Sequence, residues 1–97
     1  NHLNFVVLRD LVIANMFSAD VDAQGDAVVC LNYTLLKYRD FKVGRFIFDK
    51  ERNFLRGKGV KRIVYKNVAH PKHAQFLKVM GFSPLTVGAE NWMVKEL

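Results

Sequence analysis

The first third of the chain alternates between apolar and polar positions, a pattern typical of β-strands. Three apolar runs rich in β-branched and large side chains predict strands at 3–8, 11–17 and 27–36. A tight turn at Arg9-Asp10 joins the first two, and SADVDAQGD at 18–26 has the composition of a turn. We therefore expect an antiparallel meander.

Two polar residues interrupt the longest of these runs, AVVCLNYTLL. Successive side chains of a strand point to opposite faces, so Asn32 and Thr34 should share one face. The other face is predicted to be apolar throughout, and it carries Ala27, Val29, Leu31, Tyr33 and Leu35. Cys30, in the middle of the run, is interpreted as a small core residue.

The pattern changes at Val43, where apolar residues begin to recur with a helical period that continues to residue 56. Gly57 and Gly59 then form a helix-end signal. A second alternating run at 60–69 predicts the next strand.

Pro71 suits the first turn of a second helix, which runs through HAQFLKVM and ends at Gly81. Residues 82–86 are interpreted as irregular or as a short strand, and 91–97 as a closing strand. The order β-β-β-α-β-α-β predicts an α+β fold, a mixed central sheet flanked by two helices. The length predicts one domain, 1–97.

Composition narrows the class of protein. The single cysteine cannot form an internal disulfide, which favours a reducing compartment. No apolar run approaches the roughly 20 residues that span a bilayer, and the start, NHLNF, does not have the pattern of a signal peptide. We therefore expect a cytoplasmic protein that does not act in a membrane.

Positive charge is concentrated in one segment. Residues 36–66 hold eleven of the fifteen Lys and Arg against three acids, a net charge of +8 within a total of +6. The loop 35–45 (LLKYRDFKVGR) carries four of these cations where a strand gives way to a helix. The first N–H groups of a helix lack internal partners, so this junction favours an anionic ligand. Ligands of mixed sheets also bind at the carboxyl ends of strands.

The segment YRDFKVGRFIFDKERNFLRGKG, followed by a strand and HPKHAQFLKVMGF, resembles the GNAT-type N-acetyltransferases. Their phosphate loop reads Arg/Gln-x-x-Gly-x-Gly/Ala and opens a helix. Arg39 matches its first position and Gly44 its last, and Gly81-Phe82 matches the family's later Gly-Phe. The resemblance implies acetyl-CoA as co-substrate, an amine as acceptor and N-acetyltransferase activity.

This sequence departs from the family pattern at several positions. Lys42 stands where the loop usually has its first glycine, and Leu77 stands where many members have the tyrosine that protonates the leaving thiolate. His70 and His73 replace an asparagine and an alanine. The run 73–78 is most similar to divergent phage-encoded relatives, some of which are virion or host-takeover proteins.

Two sets of candidate site residues follow from the loop and from the chemistry that acyl transfer needs. We expect seven residues of the loop to bind the cofactor: Leu35, Leu36, Arg39, Lys42, Val43, Gly44 and Arg45. The first two would lie at a splayed strand end and pair with the pantetheine amides. The candidate proton carriers are His70, His73 and Tyr65. A capping or solvated role remains the alternative for the histidines, and a core role for Tyr65. No metal site is predicted.

Other functions stay open from the sequence. One is a catalytically inactive GNAT-like protein, either a phage structural protein in the virion or a host-takeover protein. Another, less favoured, is a nucleic-acid binder that uses the +8 segment. A homodimer is expected because elements that usually complete the acceptor side have no counterpart here. We also expect Gly44→Val to abolish CoA binding at a cost of at most about 1–2 kcal/mol, because the loop should lie at the surface.

Overall fold

A computed structural model describes residues 2–39 and 41–97; Asn1 of the predicted domain and Asp40 of the predicted loop lie outside the described residues. Six strands form one sheet in the order β1-β2-β3-β4-β6-β5. The β3–β4 pair is parallel and the other pairs are antiparallel. The strands are β1 His2–Arg9, β2 Val12–Val21, β3 Asp26–Thr34, β4 Arg62–Tyr65, β5 Ser83–Val87 and β6 Glu90–Glu96. The predicted α+β class and mixed sheet are confirmed.

The helix predicted at 43–56 begins earlier and is not uniform. It consists of α1 Phe41–Arg45, a π-helical segment Phe46–Lys50 and α2 Arg52–Gly57. The wide turn coincides with two successive fully buried side chains, Ile47 and Phe48, and single wide turns of this kind are frequent at functional sites.

The second predicted helix is α3, Pro71–Val79, which begins at the proline as expected. Gly81 follows it with φ +93°, the left-handed conformation that ends many helices. None of the helices in the described part of the chain has the length and apolar character needed to cross a membrane.

A β-bulge in β3 overturns the predicted division of its faces. Ser18 pairs with Leu31 but Ala19 pairs with Val29, so Cys30 is an extra residue and the alternation changes phase there. Asn32 consequently shares the inner face with Val29. Cys30 itself is exposed and is not a core residue.

All helices pack on this inner face. A single core cluster joins the inner side chains of the sheet to the buried side chains of the helices, among them Phe17, Ile63, Ile47 and Leu77. The outer face of β1 to β3 stays open in the described structure. Its apolar residues Val6, Leu8, Met16, Leu31 and Tyr33 are 44–61% exposed.

The pairing between the parallel strands β3 and β4 is short, and the point where it ends determines where the candidate site lies. The strand predicted at 60–69 contains only Arg62–Tyr65, because Asn67 takes φ +55° and turns the chain away. At the start of the pair, Arg62 donates to both carboxylate oxygens of Asp26 at 2.6 and 2.9 Å. This bidentate bond fixes the amino-terminal ends of the two strands together.

Candidate functional site

A pocket opens where β3 and β4 separate. Their last hydrogen-bonded pair is Val28↔Val64, yet β3 continues to Thr34. A cavity of about 260 Å³ lies beside this end of β3, beyond its pairing with β4. The residues that line it come from β3, the loop after it, the first helical segments and α3: Asn32, Tyr33, Thr34, Arg39, Val43, Gly44, Ile47, His73 and Phe76.

Arg39 brings a positive charge to this pocket. Its Nε donates to the carbonyl oxygen of Thr34 at 2.7 Å, and its guanidinium carbon lies 5.4 Å from the centre of the Tyr33 ring. Both partners belong to the end of β3, so the cation is held at the rim by the strand itself. An anion in the cavity would therefore meet a cation already in place.

Gly44 also lines the pocket, but it is buried between helices. A Cβ at this position would lie 2.9 Å from the sulfur of Met80 and 3.0 Å from Cζ of Phe76. The glycine thus lets α1 approach α3 closely, which the sequence-based prediction did not anticipate. The premise that the loop lies at the surface is therefore wrong at Gly44, which is buried, whereas the cost of a side chain here remains a prediction.

The leucines predicted to pair with a pantetheine arm are placed elsewhere. β3 ends at Thr34, and Leu36 begins a 3-10 turn, Leu36–Tyr38. The Leu35 N–H donates to the carbonyl oxygen of Ala14 at 2.8 Å, toward β2. Neither Leu35 nor Leu36 lines the pocket. The structure thus gives no contact of these two leucines with the pocket, and their pairing with a pantetheine arm remains a prediction.

The predicted loop cations divide between two surfaces. Arg39 lines the pocket, whereas Lys42 and Arg45 line a separate groove of about 410 Å³ on the other side of α1. Val43 lines both the pocket and this groove. That groove also contains Val7, Leu8, Arg9, Phe46 and Lys50. Lys42 and Arg45 as phosphate contacts remain a prediction.

The three candidate proton carriers have different surroundings. His70 is the N-cap of α3, and its Nδ1 accepts from the Lys72 N–H at 3.2 Å, which favours its capping role. His73 lines the pocket, with its ring edge-on to that of Tyr65 at 5.3 Å. Burial, and to a smaller extent the nearby His70, lowers the pKa of His73. His73 therefore favours its neutral form.

Tyr65 lies behind the pocket wall, at the end of β4. It is 7% exposed, and its hydroxyl oxygen accepts from Asn32 Nδ2 at 2.7 Å. Burial strongly raises the pKa of its phenol, whereas the hydrogen bond from Asn32 partly opposes that shift. The hydroxyl accordingly keeps its proton at neutral pH.

Leu77, at the position of the family's tyrosine, is fully buried in the core. It lines none of the pocket, so its side chain has a packing role. Within the described ranges, no cluster of three or more His, Cys, Asp or Glu could hold a metal ion.

Asn15, Asn32 and Thr34 are the polar residues of the site that the prediction missed. Asn15 is 1% exposed, and its Nδ2 donates to Asn32 Oδ1 at 2.7 Å and to Thr34 Oγ1 at 2.8 Å. The signal was present in the sequence as two polar residues, two positions apart, within an apolar strand. The bulge at Cys30 hid their direction.

No protein-family model matches the sequence, and no curated protein matches it at a significant level. Solved structures do match its fold. The PaiA N-acetyltransferase of Thermoplasma acidophilum, in complex with coenzyme A, superposes at a TM-score of 0.78 with 17% identity, over 99% of this chain and 61% of that one.

The Microcin C7 self-immunity acetyltransferase MccE, in complex with acetyl-CoA and AMP, gives a TM-score of 0.74 with 17% identity, over 99% of this chain and 61% of that one. An acetyltransferase of the GNAT family from Desulfovibrio desulfuricans gives 0.72 with 14% identity, over 99% and 67%. This chain therefore spans roughly three fifths to two thirds of the length of these proteins. Its fold is that of the GNAT-type acetyltransferases.

Proposed function

We propose that this chain binds acetyl-CoA in the pocket between β3 and β4 and transfers the acetyl group to an amine. The observation that carries the proposal is the cavity beside the end of β3, beyond its last pairing with β4, which Arg39 and Gly44 line. Two neighbours of the same fold were solved with coenzyme A or acetyl-CoA. A cleft with a cation at its rim suits the pantetheine arm of coenzyme A, which is long and thin and ends at the phosphates.

The pocket residues supply what direct acyl transfer needs. The amine nitrogen attacks the thioester carbonyl carbon, the carbon–sulfur bond breaks, and the amine loses a proton while the thiolate gains one. Neutral His73, on the pocket wall, is suited to accept the amine proton. Arg39 would contact the phosphates, and Val43 and Gly44 would lie along the arm where α1 begins.

Calorimetry with acetyl-CoA tests the binding step. We expect Arg39→Gln to lower the affinity about tenfold or more, because a charge-assisted hydrogen bond contributes roughly 1.5–3 kcal/mol. Arg56→Gln, which removes the same charge from an exposed position in α2, is the matched control and should bind as the parent does. No heat with the folded parent at millimolar acetyl-CoA would contradict the proposal.

A third variant, Lys42→Gln, locates the phosphate end. If the diphosphate stays beside Arg39, the affinity for acetyl-CoA should remain within about twofold of the parent. A loss comparable to that of Arg39→Gln would mean that the phosphates reach across α1 into the second groove, as the sequence predicted.

The alternative is a protein that keeps the cofactor site without the chemistry. The buried position of Leu77 favours it, because the hydroxyl that many relatives use is missing there. A thiol-release assay with a panel of peptide and polyamine acceptors separates the two, since an inactive binder would retain acetyl-CoA without releasing CoA. The acceptor, the homodimer, the nucleic-acid interaction and a cytoplasmic or virion location remain predictions.

A further inference from the structure

A chain of side-chain hydrogen bonds runs along the wall of the pocket from β2 to β4. Asn15, buried on β2, donates to both Asn32 and Thr34, at 2.7 and 2.8 Å. Asn32 in turn donates to the hydroxyl oxygen of Tyr65 at 2.7 Å. Asn32 and Thr34 line the pocket, so this network lies directly against any ligand bound there.

The direction of these bonds follows from the donors and acceptors of one amide. The side chain of Asn15 has two N–H donors and one carbonyl oxygen. Both donors are used, and of the polar side-chain atoms of Asn15 only Oδ1 is buried without a partner. Turning the amide over would place its Oδ1 against the carbonyl oxygen of Asn32, which has no hydrogen to donate, and would bury two N–H donors without partners, which costs more. The orientation in which Asn15 donates is therefore favoured.

This orientation determines what the two hydroxyl groups can do. The oxygens of Thr34 and Tyr65 each accept a hydrogen bond from an asparagine amide, so the hydrogen of each hydroxyl must point toward some other group. Burial keeps the phenol of Tyr65 protonated. Each hydroxyl is thus held as a donor toward a third partner, and Thr34 is on the pocket surface.

We propose that Asn15 is a positioning residue that makes this wall of the pocket a hydrogen-bond donor, matched to the carbonyl oxygens of an acyl-thioester arm. The inference rests on the proposed function, because the arm is that of acetyl-CoA. Amide and thioester carbonyls are acceptors without a proton to give, so a wall of fixed donors is complementary to them, whereas a wall of acceptors would repel them.

Asn15→Asp tests the inference with almost no change in shape. A carboxyl group has at most one hydrogen to donate, whatever its protonation, so at least one of the two bonds from residue 15 must be lost or reversed. We expect the affinity for acetyl-CoA to fall about three- to tenfold, the effect of losing one neutral hydrogen bond. The affinity for adenosine 3′,5′-bisphosphate, which has phosphates but no carbonyl arm, should not change.

Three further variants keep the test informative if Asn15→Asp does not fold. Thr34→Val removes the hydroxyl at nearly constant shape and should weaken acetyl-CoA binding by a similar factor. Thr34→Ser retains the hydroxyl and should bind as the parent does. Asn53→Asp, at an exposed position of α2, adds the same charge as Asn15→Asp and should leave both affinities unchanged.

The outcomes are separable. If Asn15→Asp or Thr34→Val weakens both probes equally, the network acts through the fold and the inference is wrong. Unchanged acetyl-CoA affinity in both variants also overturns it, while the proposed function stands because the parent binds. A folded parent that binds neither probe refutes the proposed function and this inference together.

Discussion

Gly44 offers the sharpest test of how the two helices define the pocket. An added Cβ would lie 2.9 Å from the sulfur of Met80 and 3.0 Å from Cζ of Phe76, and these residues belong to the α3 side of the site. Gly57 is also helical, but a Cβ there would meet nothing within 4 Å. The same change, glycine to valine, therefore tests a crowded and an open position in one chain.

The magnitudes follow from two opposing terms. Valine gains about 0.3–0.5 kcal/mol over glycine in helix propensity, and this gain is common to both sites. Overpacking a well-filled site costs about 1–3 kcal/mol, and only Gly44→Val incurs that cost. We expect Gly57→Val to be neutral or slightly stabilising, and Gly44→Val to lower the free energy of unfolding by about 1–3 kcal/mol.

Met80→Ala turns this difference into a test of mechanism. Met80 is 2% exposed, so its truncation alone should cost about 2–5 kcal/mol. In that background the methyl groups of the introduced valine would occupy part of the cavity, so Gly44→Val should cost about 1–2 kcal/mol less than in the parent. Urea denaturation followed by circular dichroism measures the parent, the three variants of this cycle and Gly57→Val. Additivity within about 0.5 kcal/mol, or equal effects of the two valines, would refute the crowding argument.

Two other predictions concern residues near the candidate site. Leu77→Tyr restores the family's residue but forces a phenol into the core, so it should lower the free energy of unfolding by about 1–3 kcal/mol without adding thiol release. The control Val79→Tyr, at a 42% exposed position of α3, should change that free energy little. A gain of activity in Leu77→Tyr would contradict the packing role. His73 has a lowered pKa in the fold, so its contribution to stability is present above its ordinary pKa of about 6.5 and is lost as the pH falls through the folded-state value. Nuclear magnetic resonance titration of His73 should give a midpoint below about 6.5. His70→Asn, which keeps a capping side chain, should move that midpoint upward. A midpoint at or above the ordinary value in the parent would show that burial does not control the pKa of His73.

Local patterns predicted the elements of this fold well. The first and third strands and the helix that begins at Pro71 lie close to their expected positions, because each depends on periodicity and on residues that start or stop an element. The second strand was predicted to end at residue 17, but β2 continues to Val21, into the predicted turn. The resemblance around Arg39 and Gly44 also led to a pocket that these residues do line. A short motif at a strand-to-helix junction can be located from the sequence because residues that are neighbours in sequence remain neighbours in space.

The details that shape the site depend on distant partners. Whether β3 carries a bulge at Cys30 is decided by its register with β2, and no pattern within β3 alone reveals it. Similarly, the contact between Gly44 and Met80 joins residues of two helices separated by a strand. The sequence identified Gly44 as a residue of the loop motif, but only the structure shows that a second helix packs against it.

The polar wall of the pocket is the strongest argument that this cleft is built for a ligand. Within the sheet, Asn15 pairs with Thr34 and Phe17 with Asn32, so three polar side chains occupy inner positions where apolar residues would pack without loss. Burying Asn15 Oδ1 without a partner costs on the order of 1–3 kcal/mol, a large share of the stability of a small domain. A chain that needed only to fold would gain by replacing these residues with valine or leucine. Their presence beside the gap between β3 and β4 is explained if the hydroxyl and amide groups contact something that the folded chain itself does not contain.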